Sequence, residues 1–172
     1  TELKTNRENL KSNRKPNLLK RRFRLGRPGE ILLTDVSYLK YGLNRTEYLS
    51  CVKDAVSGRV VSHITSSGND LNLAMDTVDT LDPAEDAIFH SDQGSLYLND
   101  FFQNRIKELG YSQSMSRRGN CWDNASQESF FGHMKDECDL SGCSTPEGVK
   151  KMIDDYVYYY NNERPQWTRN KM

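Results

Sequence analysis

A chain of 172 residues, 28% charged and 35% hydrophobic, has the length of one domain with a proper core rather than two. No run approaches the roughly 20 apolar residues that a membrane-crossing helix needs, so no membrane partner is expected. The formal net charge of zero hides an asymmetry: residues 1–30 carry ten Lys or Arg against Glu2, Glu8 and Glu30, a net +7, and the remainder therefore sums to −7.

Residues 1–28 are rich in charge and poor in apolar periodicity, and are read as a basic arm or linker ahead of a core at 29–172. No apolar segment follows the basic start, so no signal peptide is expected. The arm suits a polyanion, with Arg21, Arg22 and Arg24 at its densest point, although a solvated linker accounts for the same charges. Gly26 and Pro28 punctuate its end.

Three strands are expected next, at 30–39, 46–54 and 59–66, each rich in β-branched or aromatic residues. Their short links favour an antiparallel meander. A helix at about 69–80 follows, capped by Asn69 or Asp70, then a short strand at 87–90 leading into His90-Ser91-Asp92-Gln93-Gly94. Residues 98–109 read as a helix ended by Gly110, and 111–115 as a fifth strand. After a loop at 116–122, two helices are expected at 124–138 and 146–162. Thr145 and Pro146 start the second. This order implies an α/β protein with a five-stranded mixed sheet flanked by helices, the order of the ribonuclease-H-like fold.

Three acidic residues sit where such a sheet would place a site. Asp35 interrupts an apolar strand, which is costly unless it is paired or holds a metal. Asp92 follows a short strand, and ligands gather at the carboxyl ends of strands in open α/β sheets. Glu128 lies one turn into a helix. All three are oxygen donors, which suit Mg²⁺ or Mn²⁺ rather than zinc. Two such ions roughly 3.5–4 Å apart can activate a nucleophile and stabilise a leaving oxyanion in phosphodiester chemistry. Among 24 acidic residues some triple can always be chosen, and a strand Asp hydrogen-bonded to backbone is the plain alternative. Cys51, Cys121, Cys138 and Cys143 form no C-x-x-C pair, and His63, His90 and His133 show no zinc spacing. Reduced thiols in a cytoplasmic protein are expected.

Longer strings are more specific. Thr34–Tyr38 (TDVSY), His90–Tyr97 (HSDQGSLY), Ser114–Phe131 (SMSRRGNCWDNASQESFF) and Tyr159–Pro165 (YYNNERP) make the run from Thr34 to Met172 resemble the integrase core of bacterial insertion-sequence transposases, the IS-three family. Thirty-five residues separate Asp92 from Glu128, the spacing of that family's Asp-Asp-35-Glu signature. The resemblance implies Asp35, Asp92 and Glu128 as catalytic, metal-holding residues. It implies Mg²⁺ or Mn²⁺, two ions per site, and DNA as partner, both transposon ends and target, with the chain as a homo-oligomer on DNA in a bacterial, nucleoid-associated setting. It also implies that Lys135, two helical turns past Glu128, faces DNA. Leu33 stands where the family commonly has an aromatic residue. The family's upstream helix-turn-helix and its terminal tail are absent, so a fragment is expected.

Arg117 and Arg118 lie in the loop before the Glu128 helix, placed to touch phosphates, and an ordinary charged loop is the alternative. Gln93 and Asn124 flank the carboxylates and are candidates to orient DNA, as against turn and capping roles. Arg164 is a DNA candidate or a structural tie to an acidic residue. The function expected is DNA strand cleavage and strand transfer by a 3′-hydroxyl. The alternatives are a ribonuclease-H-like nuclease and a catalytically silent DNA-binding or assembly module.

Overall fold

The computed structural model describes residues 12–19, 26–117 and 125–165. Among these residues nine elements follow in chain order: β1 (Ile31–Tyr41), β2 (Arg45–Asp54), β3 (Val60–Ser66), α1 (Leu71–Asp79), β4 (Ile88–Ser91), α2 (Asp100–Glu108), β5 (Ser112–Met115), α3 (Ala125–Glu137) and α4 (Pro146–Asn162). The strands form one sheet in the order β3-β2-β1-β4-β5. β1, β2 and β3 pair antiparallel as a meander. β4 joins the free edge of β1 in parallel, and β5 joins β4 in parallel.

Local chemistry starts and stops the helices where the sequence places those signals. Asp70 accepts the Leu73 N–H and Thr145 accepts the Gly148 N–H, each filling an orphan donor of a first turn. Pro146 occupies the first turn of α4. Gly110 ends the α2 region at φ +86°, where a Cβ would meet the Ala84 carbonyl oxygen at 2.8 Å.

Helices cover both faces of the sheet. On one face Leu32, Val52, Phe89 and Met115 pack with Ala74 and Val78 of α1 and with Phe102 and Ile106 of α2. On the other, Leu39, Leu49 and Cys51 pack under Phe130, Phe131 and Met134 of α3 and Val149, Ile153, Tyr156 and Tyr160 of α4. This double cover explains why β2 is buried almost along its length. α4 is tied to the β3 edge: Asn161 Oδ1 accepts the Val60 N–H at 2.9 Å, and its Nδ2 donates to the Val60 carbonyl at 2.8 Å. That bond pair satisfies both backbone groups of Val60 at the start of the β3 edge. Among the described residues no helix is long and apolar enough to cross a membrane.

The part of the expected arm that is described, 12–19, lies against the core. Met115 N–H donates to the Pro16 carbonyl, Leu18 N–H donates to Ser114 Oγ at 2.9 Å, and Asn13 Nδ2 donates to the Leu98 carbonyl at 2.9 Å. Leu19, 2% exposed, packs with Ile31 and Leu33.

Candidate active site

Leu33 pairs with His90 in the parallel β1–β4 ladder. Residues paired across a ladder face the same side, and positions i and i+2 share that side. Asp35 and Asp92 each stand two residues beyond this last pair of the ladder. Asp92 lies just past the carboxyl end of β4, where the chain leaves the sheet beside the continuing β1. One phenol senses both carboxylates. Burial pushes the Tyr97 hydroxyl well above its ordinary range, and the negative charges of Asp35 and then Asp92 add to the rise.

Both aspartates are half-buried and held locally. Asp35 Oδ1 accepts the Val36 N–H at 2.8 Å, and Asp92 Oδ1 accepts the Gly94 N–H at 2.7 Å. A Cβ at position 94 would come within 2.9 Å of that same Asp92 oxygen, so glycine there leaves the carboxylate its place. Gln93 Nε2 donates to the Ser116 carbonyl at 3.0 Å, which ties the turn carrying Asp92 to the end of β5. The structure thus gives Gln93 a turn-holding contact.

α3 brings the third carboxylate. Gln127, wholly buried, donates from Nε2 to the Leu33 carbonyl at 3.1 Å and to the Cys51 carbonyl at 2.9 Å. Lys53, 5% exposed, donates from Nζ to the carbonyl and hydroxyl oxygens of Ser126 at 2.9 and 3.0 Å. Cys51 faces Asp35 across the β1–β2 ladder. α3 therefore begins over β1 and β2 beside Asp35, with Glu128, the residue after Gln127, exposed. Burial pushes the Cys51 thiol up to about 12, which removes it as a nucleophile at neutral pH.

Asp35 and Asp92 are thus neighbours, and Glu128 is carried on a helix anchored beside them. They are not gathered into one cage: among the described residues no three His, Cys, Asp or Glu side chains stand close enough to hold a metal ion. The donor chemistry nevertheless fits a hard divalent ion, being all oxygen and accessible.

Lys135 extends from α3 with its ammonium 4.3 Å from the centre of the Tyr38 ring, a cation–π contact on the surface of β1. Phe131, between Glu128 and Lys135 on the helix, is 7% exposed and packs inward. Arg117 is exposed just past β5. Arg118, Asn124, Arg21, Arg22 and Arg24 lie outside the described residues. Arg164 makes the structural tie: its guanidinium donates to both oxygens of Glu137 at 2.6–3.0 Å.

Lys53, Gln127, Gly94 and Tyr97 have no role assigned by the sequence alone. Lys53 carries the same signal as Asp35, a charge inside an apolar strand. The other three lie within the motif strings, and their neighbours follow only from the strand order.

The Integrase core domain family model matches residues 26–121, and a second Integrase core domain model matches 109–170. The chain is 41% identical over 155 residues to the Putative transposase InsK for insertion sequence element IS150 of Escherichia coli, covering 87% of this chain and 54% of that protein. It is 37% identical over 155 residues to an uncharacterized transposase-like protein of Haemophilus influenzae, covering 71% of it. The chain thus spans about half the length of the Escherichia coli relative. Among solved structures, the HTLV-2 integrase catalytic core domain in complex with magnesium matches with TM-score 0.62 at 17% identity, over 82% of this chain and 92% of that one. The Mos1 transposase in a paired-end complex with its left transposon end matches with TM-score 0.66 at 12% identity, over 96% of this chain and 56% of that one. These likenesses, at low identity, carry the fold alone, which is ribonuclease-H-like. With the family match spanning more than half its residues, the chain belongs to the integrase core domain family.

Proposed function

We propose that the chain is the catalytic core of a DNA transposase that cleaves DNA strands and joins a 3′-hydroxyl end to target DNA. The observation that supports this reading is the β1–β4 register, whose last pair, Leu33 with His90, lies two residues before both Asp35 and Asp92. Asp35, Asp92 and Glu128 would hold Mg²⁺ or Mn²⁺, two ions per site, and the magnesium bound to a core of the same fold supports that choice. When bound, such ions activate a water or 3′-hydroxyl and stabilise the leaving oxygen.

The chain's own residues bind and orient the DNA. Lys135, on the same helix as Glu128, reaches a phosphate near the site, and Arg117 and Arg118 approach from the loop ahead of α3. Gln93 keeps the turn bearing Asp92 in register with β5, and Asn124 lies one residue before α3. Arg21, Arg22 and Arg24 supply sequence-independent affinity. Strand transfer exchanges one phosphodiester bond for another, so no nucleotide cofactor is needed. The partners are transposon ends and target DNA, engaged by more than one copy of the chain, in the cytoplasm at the nucleoid.

The test is a strand-transfer assay with pre-cleaved transposon ends and Mg²⁺. Joined products that disappear in Asp35→Asn support the reading. Cleavage without joining would favour a ribonuclease-H-like nuclease, and DNA binding without either would favour an assembly module.

A further inference from the structure

Lys53 is a cation inside the molecule. It is 5% exposed on β2, at a point where the β2–β3 register shifts. Its ammonium lies 5.9 Å from the centre of the Phe130 ring and 5.8 Å from that of Tyr160. Two donated hydrogen bonds go to a single residue, the carbonyl and hydroxyl of Ser126. One residue further, Gln127 spans the two central strands through the Leu33 and Cys51 carbonyls. The first turn of α3 is therefore held at two consecutive positions from below, and the next residue is Glu128.

Burying an ammonium is expensive unless it is hydrogen-bonded, and two of its bonds here go to the start of α3. Two bonds aimed at one residue set the rotation and depth of the helix start. We propose that Lys53, with Gln127, is a positioning residue that fixes the first turn of α3 so that Glu128 can reach the metal ions held by Asp35 and Asp92. The inference rests on the carboxylate assignment proposed above.

The test compares Lys53→Met with wild type and with Asp35→Asn on the same chain. The readouts are amide hydrogen exchange at residues 125–129, Mn²⁺ affinity followed by electron paramagnetic resonance, and the strand-transfer rate. Lys53→Met is expected to fold with its β1 and β2 protection intact and to exchange faster at 125–129. Mn²⁺ binding weakens by about tenfold, and strand transfer falls by about 10- to 100-fold, the scale expected for a misplaced catalytic group. Wild-type exchange and wild-type Mn²⁺ affinity in Lys53→Met would overturn the inference. Activity retained in Asp35→Asn would instead overturn the carboxylate assignment, so the two failures are distinct. If Lys53→Met does not fold, Ser126→Ala carries the test. It removes one of the two acceptors and must shift exchange and Mn²⁺ affinity in the same direction, and unchanged values would overturn the inference.

Discussion

Asp35 and Asp92 lie two residues past the same ladder pair, Leu33 with His90, so two carboxylates 57 positions apart in sequence end on neighbouring chain paths. Like charges so placed oppose folding slightly until a cation arrives. Asp35→Asn and Asp92→Asn are therefore expected to leave the metal-free melting temperature unchanged or to raise it by about 2–4 °C, the equivalent of about 1 kcal/mol for a chain of this size. Wild type should gain about 1.4 kcal/mol at Mg²⁺ tenfold above its dissociation constant, and either variant should gain much less. Thermal melts with and without Mg²⁺ check both halves. An equal Mg²⁺ response in wild type and Asp35→Asn would remove Asp35 from the site.

Gly94 concerns the same carboxylate. Because a Cβ there would approach Asp92 Oδ1 to 2.9 Å, Gly94→Ala must displace the carboxylate or the turn. Strand transfer is expected to fall at least about tenfold, with a loss of stability of about 1 kcal/mol or less. Kinetics at saturating DNA against a thermal melt separates the two effects.

Lys135 rests over the Tyr38 ring. Lys135→Glu is expected to lower strand transfer by about tenfold or more while changing overall DNA affinity much less, because it misplaces the scissile phosphate. Tyr38→Leu should act in the same direction but by about fivefold at most, since a surface cation–π contact contributes about 0.5–1 kcal/mol. Lys107→Glu, on α2 across the sheet, is the control. Equal effects of Lys135→Glu and Lys107→Glu would mean that Lys135 has no special part.

Arg164 and Glu137 give a pH-dependent contribution. The Arg164 hydrogen bonds hold the Glu137 carboxyl below its ordinary value, so its folded pKa lies below the unfolded one of about 4.3. The stabilisation is fully present above about pH 5 and is lost as pH falls through the folded value. With side chains 18% and 33% exposed, Arg164→Ala is expected to cost about 1 kcal/mol at pH 7 and progressively less below pH 4. Urea unfolding at pH 7 and pH 3 measures the difference, and an equal loss at both would refute the charge-based account.

The basic arm calls for substitution rather than deletion, because Leu19 is part of the packed core. Replacing Arg21, Arg22 and Arg24 with Ala should flatten the log–log salt dependence of duplex DNA binding by up to about 2.7 if all three reach phosphates. Leu19→Ala should instead cost about 2–3 kcal/mol of stability and leave that slope alone. An unchanged slope in the triple variant would assign the arm to other contacts.

Much of the fold was legible because its signals are local. Asp70, Thr145 and Gly110 act where capping chemistry puts them, and the five expected strands match β1 to β5 within one or two residues at each end. Strand order was not legible in that way, since nothing local to Leu33 announces His90 as its neighbour. The carboxylate set therefore came from the motif strings rather than from periodicity. The packing of 12–19 was also hidden: a segment dense in charge anchors through Leu19 and backbone bonds, which leave no periodic trace. Arg164 could be read either way until Glu137 was placed beside it.

The most direct measurement is strand transfer of pre-cleaved transposon ends into plasmid DNA with Mg²⁺, comparing wild type with Asp35→Asn at equal DNA occupancy. The account predicts joined product with wild type and none above background with the variant, whose fold and DNA binding remain intact. Mg²⁺-dependent joining by Asp35→Asn at a rate near wild type would contradict it.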